Sequence, residues 1–245
     1  MERKIRVAGV NYLNTKPLIY GFEKGLMKDE LELFMDYPSN IATMLLNDEV
    51  DIGLMPVATI PSLKENYIIS NYCIGCNGDV ASVCVFSNAP LKEIKTILLD
   101  YQSRSSVALL KVLIKDYWKI SPQLIEAAPG FEEKIDGTTA ALIIGDRALA
   151  LRKKYKFVYD LGGAWKQMTK LPFVFAAWVA NKKLPDSFID QFNKTTSEGL
   201  NHFDEIIATT ECDYYDLDYY YHFNISYTLD AQKKKGLEYF LSKME

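Results

Sequence analysis

Two clusters of polar residues in this chain have the types and spacing that chemistry requires. The first, Asn11-Tyr12-Leu13-Asn14-Thr15-Lys16-Pro17, follows directly on an apolar run. The second, Asp100-Tyr101-Gln102-Ser103-Arg104-Ser105-Ser106, follows Leu98-Leu99. Each reads as a strand-to-helix turn rich in amide, hydroxyl and cationic groups. A helix start presents unpaired backbone N–H groups and the positive end of the helix dipole, so it favours carboxylates and phosphates. About ninety residues separate the two turns. In an alternating α/β chain, that separation points to a small anion held between two lobes.

Each residue of these turns fits a structural and a functional role. Asn14 and Thr15 lie where strand-end side chains face a cleft, but Asn also shapes turns and Thr caps helices. Ser39 is placed to cap a helix whose N-terminus a ligand can share. Ser82 interrupts the apolar run Ala81–Phe86, and a hydroxyl buried there needs a partner, either a carbonyl or a ligand. Ser103, Arg104, Ser105 and Ser106 together exceed what capping requires. Arg104 opposes the dipole at a first turn unless an anion lies nearby. Gly145 and Asp146 follow another strand, with Asp146 suited either to a first-turn acid or to accepting from a ligand hydroxyl.

Other chemistries find little support. No Gly-rich phosphate loop is present. His202 and His222 both fall in the C-terminal tail, which argues against a histidine base or nucleophile scheme. Cys73-x-x-Cys76 is half of a zinc-ribbon pattern with no second pair, so ordinary buried thiols and no metal are expected. The net charge of −4 gives no basic excess for nucleic acid. No stretch reaches the roughly 18 apolar residues of a membrane span, and MERKIRVAGV lacks the apolar core of a signal peptide. A cytoplasmic protein is expected, with no cofactor.

The elements that must position these residues alternate. Strands are expected at Ile5–Val10, Leu31–Met35 and Asp51–Met55, with helices over Pro17–Phe22 and from Ser39 through Leu46 between them. Extended segments Tyr67–Ile74 and Val80–Phe86 follow. A second α/β series then runs through strand Thr96–Leu99, helix Ser105–Tyr117, strand Gln123–Glu126, strand Ala140–Ile144, helix Asp146–Lys154 and strand Phe157–Tyr159. The apolar run Phe173–Ala180 precedes a largely helical tail. A βαβαβ pattern predicts a mostly parallel sheet with ligands at strand C-termini. Two series predict two lobes: residues 1–87 plus 175–245 as a discontinuous first lobe, and 88–174 as an inserted second. Val80–Phe86 and Phe173–Ala180 are expected to carry the chain out and back.

At these residues the sequence resembles the chorismate dehydratase family of the futalosine route to menaquinone. The likeness covers nearly the whole chain. It runs through Asn11–Leu18 (NYLNTKPL), Asp51–Val57 (DIGLMPV), Cys73–Pro90 (CIGCNGDVASVCVFSNAP), Asp100–Leu113 (DYQSRSSVALLKVL), Leu142–Leu149 (LIIGDRAL) and Tyr159–Val179 (YDLGGAWKQMTKLPFVFAAWV). The resemblance implies a two-lobed, periplasmic-binding-protein-like (type II) α/β fold, with a ligand cleft between lobes joined by two hinge strands. It also implies removal of water from chorismate to give 3-[(1-carboxyvinyl)oxy]benzoate. By position, the family's first-turn asparagine falls on Asn14, its strand serine on Ser82 and its hydroxyl-rich helix start on Ser103–Ser106. These residues are expected to act on chorismate as catalytic (Asn14, Ser82) and substrate-binding groups, the latter including Thr15, Ser39, Arg104, Gly145 and Asp146. The chain departs from the family pattern at Asn11, where a small residue such as serine is usual, and at Cys76, where an acidic or small one is; both bear on pocket shape.

Two rivals share the implied fold. A dihydroxynaphthoate synthase-type enzyme of the same pathway carries a Ser-Pro-x-Pro-Asn-like turn and a cleft histidine, which this sequence lacks. A non-catalytic solute-binding protein for small anions would bind without turnover. Oligomeric state is not legible, and the cluster of five tyrosines within Tyr214–Tyr221 suits tail packing.

Overall fold

A computed structural model describes residues 3–244. The chain begins with strand β1 (Ile5–Val10), helix α1 (Lys16–Glu23), strand β2 (Leu31–Asp36), helix α2 (Pro38–Leu46) and strand β3 (Ile52–Pro56). β1 pairs in parallel with both β2 and β3, as expected for a βαβαβ unit. All five residues of β3 are buried, which is why it reads as a continuous apolar run and lies inside the sheet. Strand β4 (Tyr67–Cys76) completes the first series.

Strands β5 (Val83–Ser87), β6 (Thr96–Leu99), β7 (Gln123–Glu126), β8 (Thr139–Ile144) and β9 (Phe157–Asp160) form a second sheet, in the order β7-β6-β8-β5-β9. Its helices are α3 (Arg104–Val112), continued by a π-helical turn over Leu113–Trp118, and α4 (Gly145–Leu151). Helix α5 (Leu161–Thr169) then leads back to strand β10 (Phe173–Ala180), which lies antiparallel between β3 and β4 in the first sheet. The tail adds α6 (Asp186–Ser197), α7 (Phe203–Ala208), α8 (Leu217–Tyr219) with a π-helical turn over Tyr220–Asn224, strand β11 (Ser226–Thr228) and α9 (Ala231–Ser242). β11 pairs on β4, giving the first sheet the order β11-β4-β10-β3-β1-β2. No helix among the described residues is long and apolar enough to cross a membrane.

The two sheets are the cores of two lobes. Sheet pairing puts the outward crossing at 77–82, because Val83–Ser87 hydrogen-bonds on both sides within the second sheet. The expected outward strand Val80–Phe86 is therefore a central strand of the second lobe from Val83 onward. The return crossing is α5, not Phe173–Ala180, which sits wholly inside the first sheet. Both strands are fully buried, and a central strand and a crossing strand look alike when nearly every residue is apolar.

The outward crossing is held in a demanding geometry. Ala81 adopts φ +62, a left-handed conformation unfavourable for a residue with a Cβ. The Asp160 carboxylate, capping α5, accepts N–H bonds from Val80 at 3.1 Å, Ala81 at 2.8 Å and Gly163 at 3.0 Å. Arg152 adds a bond to the Ala81 carbonyl at 2.9 Å. Strain of this kind persists only where surrounding bonds over-determine the backbone.

Candidate active site

The turn after β1 is a 3-10 turn over Leu13–Thr15 that runs into α1. It brings Asn14 and Thr15 to a small cavity between the lobes. Ser82 reaches the same cavity from the end of the outward crossing, and Ser103 and Ser106 reach it from the start of α3. Gly145 enters from the start of α4, and Tyr12, Phe175 and Ala176 complete the aromatic and apolar wall. The sequence-distant turns at Asn14 and Ser103 thus face one another as expected.

The cavity's polar groups are neutral. The Thr15 hydroxyl donates to Asn14 Oδ1 at 3.3 Å, which leaves the Asn14 amide N–H free to donate into the cavity. The Ser82 hydroxyl has only a long bond, 3.4 Å, to the Val80 carbonyl. Ser103 caps α3, accepting the Ser106 N–H at 3.2 Å, and its hydroxyl donates to Ser106 Oγ at 2.9 Å. No charged side chain is among the cavity-lining residues.

Four expected site residues sit off this lining. Ser39 is not the cap of α2: Pro38 takes the first helical position, the chain enters at Tyr37, and the Ser39 N–H donates across to the Gln102 carbonyl at 3.2 Å. Arg104 is exposed and lines a separate surface groove with Lys111 and Lys115, because it occupies the first turn of α3 on the side away from the cavity. Ser105 is buried, but its hydroxyl accepts the Ala58 N–H at 3.1 Å and so ties α3 to the first lobe. Asp146 accepts the Leu13 N–H at 3.1 Å, and burial pushes its carboxyl up to about 6 despite that bond and nearby Lys16. Ser39, Ser105 and Asp146 are therefore contacts that draw the lobes together.

A further contact of this kind centres on Tyr12. Its hydroxyl bonds to Gln102 Oε1, which also accepts Arg147 at 2.7 Å. Arg147 in turn pairs with Asp100 at 2.7 Å and with Glu132, and these carboxylates hold the guanidinium firmly charged. Burial, with Asp100 close by, raises the Tyr12 phenol well above its usual value, so it is a donor. These bonds describe a closed cleft.

Two cavity residues carried no clear signal in the sequence. Phe175 is the extra residue of a bulge, since Val174 pairs with Gly75 while Ala176 pairs with Ile74. Bulges beside active sites re-aim a side chain, and one extra residue inside an apolar run leaves no trace in its pattern. Tyr12 was visible only as part of the first turn. The two family departures are peripheral: Asn11 is exposed, and Cys76 is buried against Gly162. His202 stacks on Tyr20 and His222 lies beside Asp218, and neither lines the cavity. Among the described residues, no three His, Cys, Asp or Glu side chains gather as a metal ion would require. Cys73, Cys76 and Cys84 are buried thiols whose acidity burial suppresses.

Two sheet-based lobes closing on a cavity between them define a periplasmic-binding-protein-like fold. Solved structures agree. A protein of Archaeoglobus fulgidus superposes with TM-score 0.73 at 18% identity, over 98% of this chain and 96% of that one. The alkanesulfonate-binding protein of Xanthomonas axonopodis pv. citri, solved with MOPS bound, gives TM-score 0.63 at 13% identity over 98% and 93%. The sequence narrows the class. Residues 5–245 match the family model described as menaquinone biosynthesis, and the chain belongs to that family. Its curated relatives include the chorismate dehydratase of Thermus thermophilus, 29% identical over 191 residues, 69% of each chain. The chorismate dehydratase of Campylobacter jejuni subsp. jejuni is 27% identical over 240 residues, 95% of this chain and 94% of the relative.

Proposed function

We propose that this protein is a chorismate dehydratase that converts chorismate to 3-[(1-carboxyvinyl)oxy]benzoate in the futalosine route to menaquinone. One observation carries the reading: Asn14 and Ser82, from two different segments of the chain, converge with Ser103 and Ser106 at the start of α3 on a single uncharged cavity, in a menaquinone-biosynthesis chain whose relatives carry this activity.

Chorismate carries two carboxylates. The start of α3, with the Ser106 hydroxyl, oriented by Ser103, and its N-terminal dipole, is suited to hold the ring carboxylate. Loss of the C3 proton puts charge onto that carboxylate through the ring diene, and donors placed there stabilise the charge as it develops. The C4–O bond then breaks, hydroxide leaves with a proton as water, and the ring becomes aromatic. Asn14 and Ser82 orient the C4 hydroxyl and the enolpyruvyl group. With no charged side chain on the lining, the substrate's own enolpyruvyl carboxylate is the proton acceptor. Thr15 fixes the Asn14 amide through its hydroxyl, and Gly145 gives close approach at the start of α4.

The test is incubation of purified protein with chorismate alone, followed by chromatography and mass spectrometry. The expected product is lighter by one water and has an aromatic spectrum. Unchanged chorismate that nonetheless binds would replace the enzyme with a solute-binding role.

A further inference from the structure

The residue behind the cavity wall comes from the tail. Tyr220 is fully buried, and its hydroxyl has no hydrogen-bond partner. Buried phenols ordinarily find one, so an orphan of this kind calls for an explanation. The neighbours of Tyr220 on the same turn bond the Leu13 and Asp79 carbonyls, one residue before Asn14 and three before Ser82, which places Tyr220 between the two segments that carry those side chains.

The tail is pinned to both sides of the site. The Tyr221 hydroxyl donates to the Leu13 carbonyl at 3.1 Å, inside the first turn. Asn224 donates to the Asp79 carbonyl at 3.0 Å, inside the outward crossing, and is itself held by the Tyr215 hydroxyl at 2.9 Å. Tyr220 opens a π-helical turn, a widened geometry frequent at functional sites. Its ring packs edge-on against Tyr215 with centroids 5.8 Å apart.

Resting on the dehydratase reading, we propose that Tyr220 is a positioning residue: its hydroxyl donates to Ser82 Oγ and so turns the Ser82 proton into the cavity, toward the substrate. A serine has one proton and two acceptor sites. The Ser82 hydroxyl now spends its proton on a long bond to Val80. A donor on its far side frees that proton for the substrate without adding charge to the cavity. Burial holds the Tyr220 phenol well above its usual value, so it remains a donor throughout the working pH range.

The test compares Tyr220→Phe, Ser82→Ala and the double variant in steady-state turnover of chorismate, with Thr196→Val as a control. Thr196 is another fully buried hydroxyl without a partner, on α6. Tyr220→Phe is expected to lower kcat about tenfold, the worth of one hydrogen bond, with KM within about twofold and Tm not lowered. In the Ser82→Ala background it is expected to cost nothing further, and Thr196→Val leaves kcat unchanged. Full kcat in Tyr220→Phe overturns the proposal, as does an equal loss with and without Ser82. If Tyr220→Phe does not fold, Tyr220→3-fluorotyrosine keeps the hydroxyl and makes it more acidic; an altered kcat supports the role and an unaltered one overturns it. A folded wild-type protein inert toward chorismate overturns the dehydratase reading as well, whereas an active wild type beside an unaffected Tyr220→Phe overturns this inference alone.

Discussion

The Leu13 N–H donates to the Asp146 carboxylate at 3.1 Å, joining the first turn of one lobe to the first turn of α4 in the other. The carboxyl is largely withdrawn from water, and burial raises it from 3.8 to about 6. Between those values the folded protein keeps a proton that the unfolded chain has released. Its contribution to stability therefore falls as pH rises from about 4 to about 6, and stays low above that. Asp146→Asn keeps an acceptor for Leu13 and removes the titration. The variant should show a flatter stability profile over pH 4–6 and gain about 2 kcal/mol at pH 7, allowing for partial exposure of the group. Thermal melts at four pH values check this; parallel profiles would show that Asp146 titrates normally.

Asn14→Ala and Ser82→Ala should each lower kcat about 100-fold, the scale of loss when reacting groups are misplaced by about 1 Å. Neither side chain bridges the lobes, so Tm should stay within a few degrees. Ser105→Ala should behave in the opposite way, since its hydroxyl serves the Ala58 N–H. It should lose stability through that stranded donor, about 1–3 kcal/mol, with kcat near wild type. Activity and melts on the three variants separate the cavity from the clasp around it, and a silent Ser105→Ala with full Tm would contradict the division.

Gly145 sits at φ +66, where a Cβ would meet the Tyr12 ring at 3.0 Å. That ring is held by Gln102, so it cannot retreat cheaply. Gly130, at φ +83, faces open space and serves as the matched control for backbone strain alone. Both Gly→Ala variants should lose about 1 kcal/mol for the left-handed conformation. Gly145→Ala alone should lose more than this and should raise KM, because its clash pushes on the wall of the cavity. Equal losses at the two positions would show that Tyr12 yields.

The two-lobed α/β plan was legible because strand and helix periods are local properties. Ile5–Val10 and Ser103 were readable for that reason, the latter as a hydroxyl-rich helix start that does cap α3. What could not be read is what depends on pairing partners. Val83–Phe86 is apolar throughout, and only its register against β8 and β9 shows which sheet owns it. Ser39, Ser103, Ser105 and Ser106 look equivalent as letters. The helix turn then directs Ser103 and Ser106 into the cavity, Ser105 toward Ala58, and Arg104 to the surface. Tyr220 lies about 140 residues from Ser82 in a tyrosine cluster suited to packing. Nothing local marks which of those hydroxyls is left without a partner.

Asp51 behaves in the reverse sense to Asp146. It opens the turn into β3, accepting the Arg6 N–H at 2.9 Å, Arg6 Nε at 3.3 Å and Lys182 Nζ at 2.8 Å. Burial would raise its carboxyl, but the hydrogen bonds from Arg6 and Lys182 outweigh it and hold the group at about 2. A lowered carboxyl contributes stability that is fully present above the unfolded value near 4 and is lost as pH falls through 2. Lys182 is about half exposed, so the worth is discounted to about 1–2 kcal/mol. Asp51→Asn should therefore be less stable than wild type by that amount at pH 7, with the gap closing between pH 4 and pH 2. Denaturant melts at pH 7, 5, 4 and 3 check this. Asp146 thus contributes a fall in stability above pH 4 and Asp51 a fall below it. Asp51→Asn should flatten the acid side of the profile and Asp146→Asn the side between pH 4 and 6. A gap for Asp51→Asn that stays constant down to pH 3 would assign its loss to packing instead of charge.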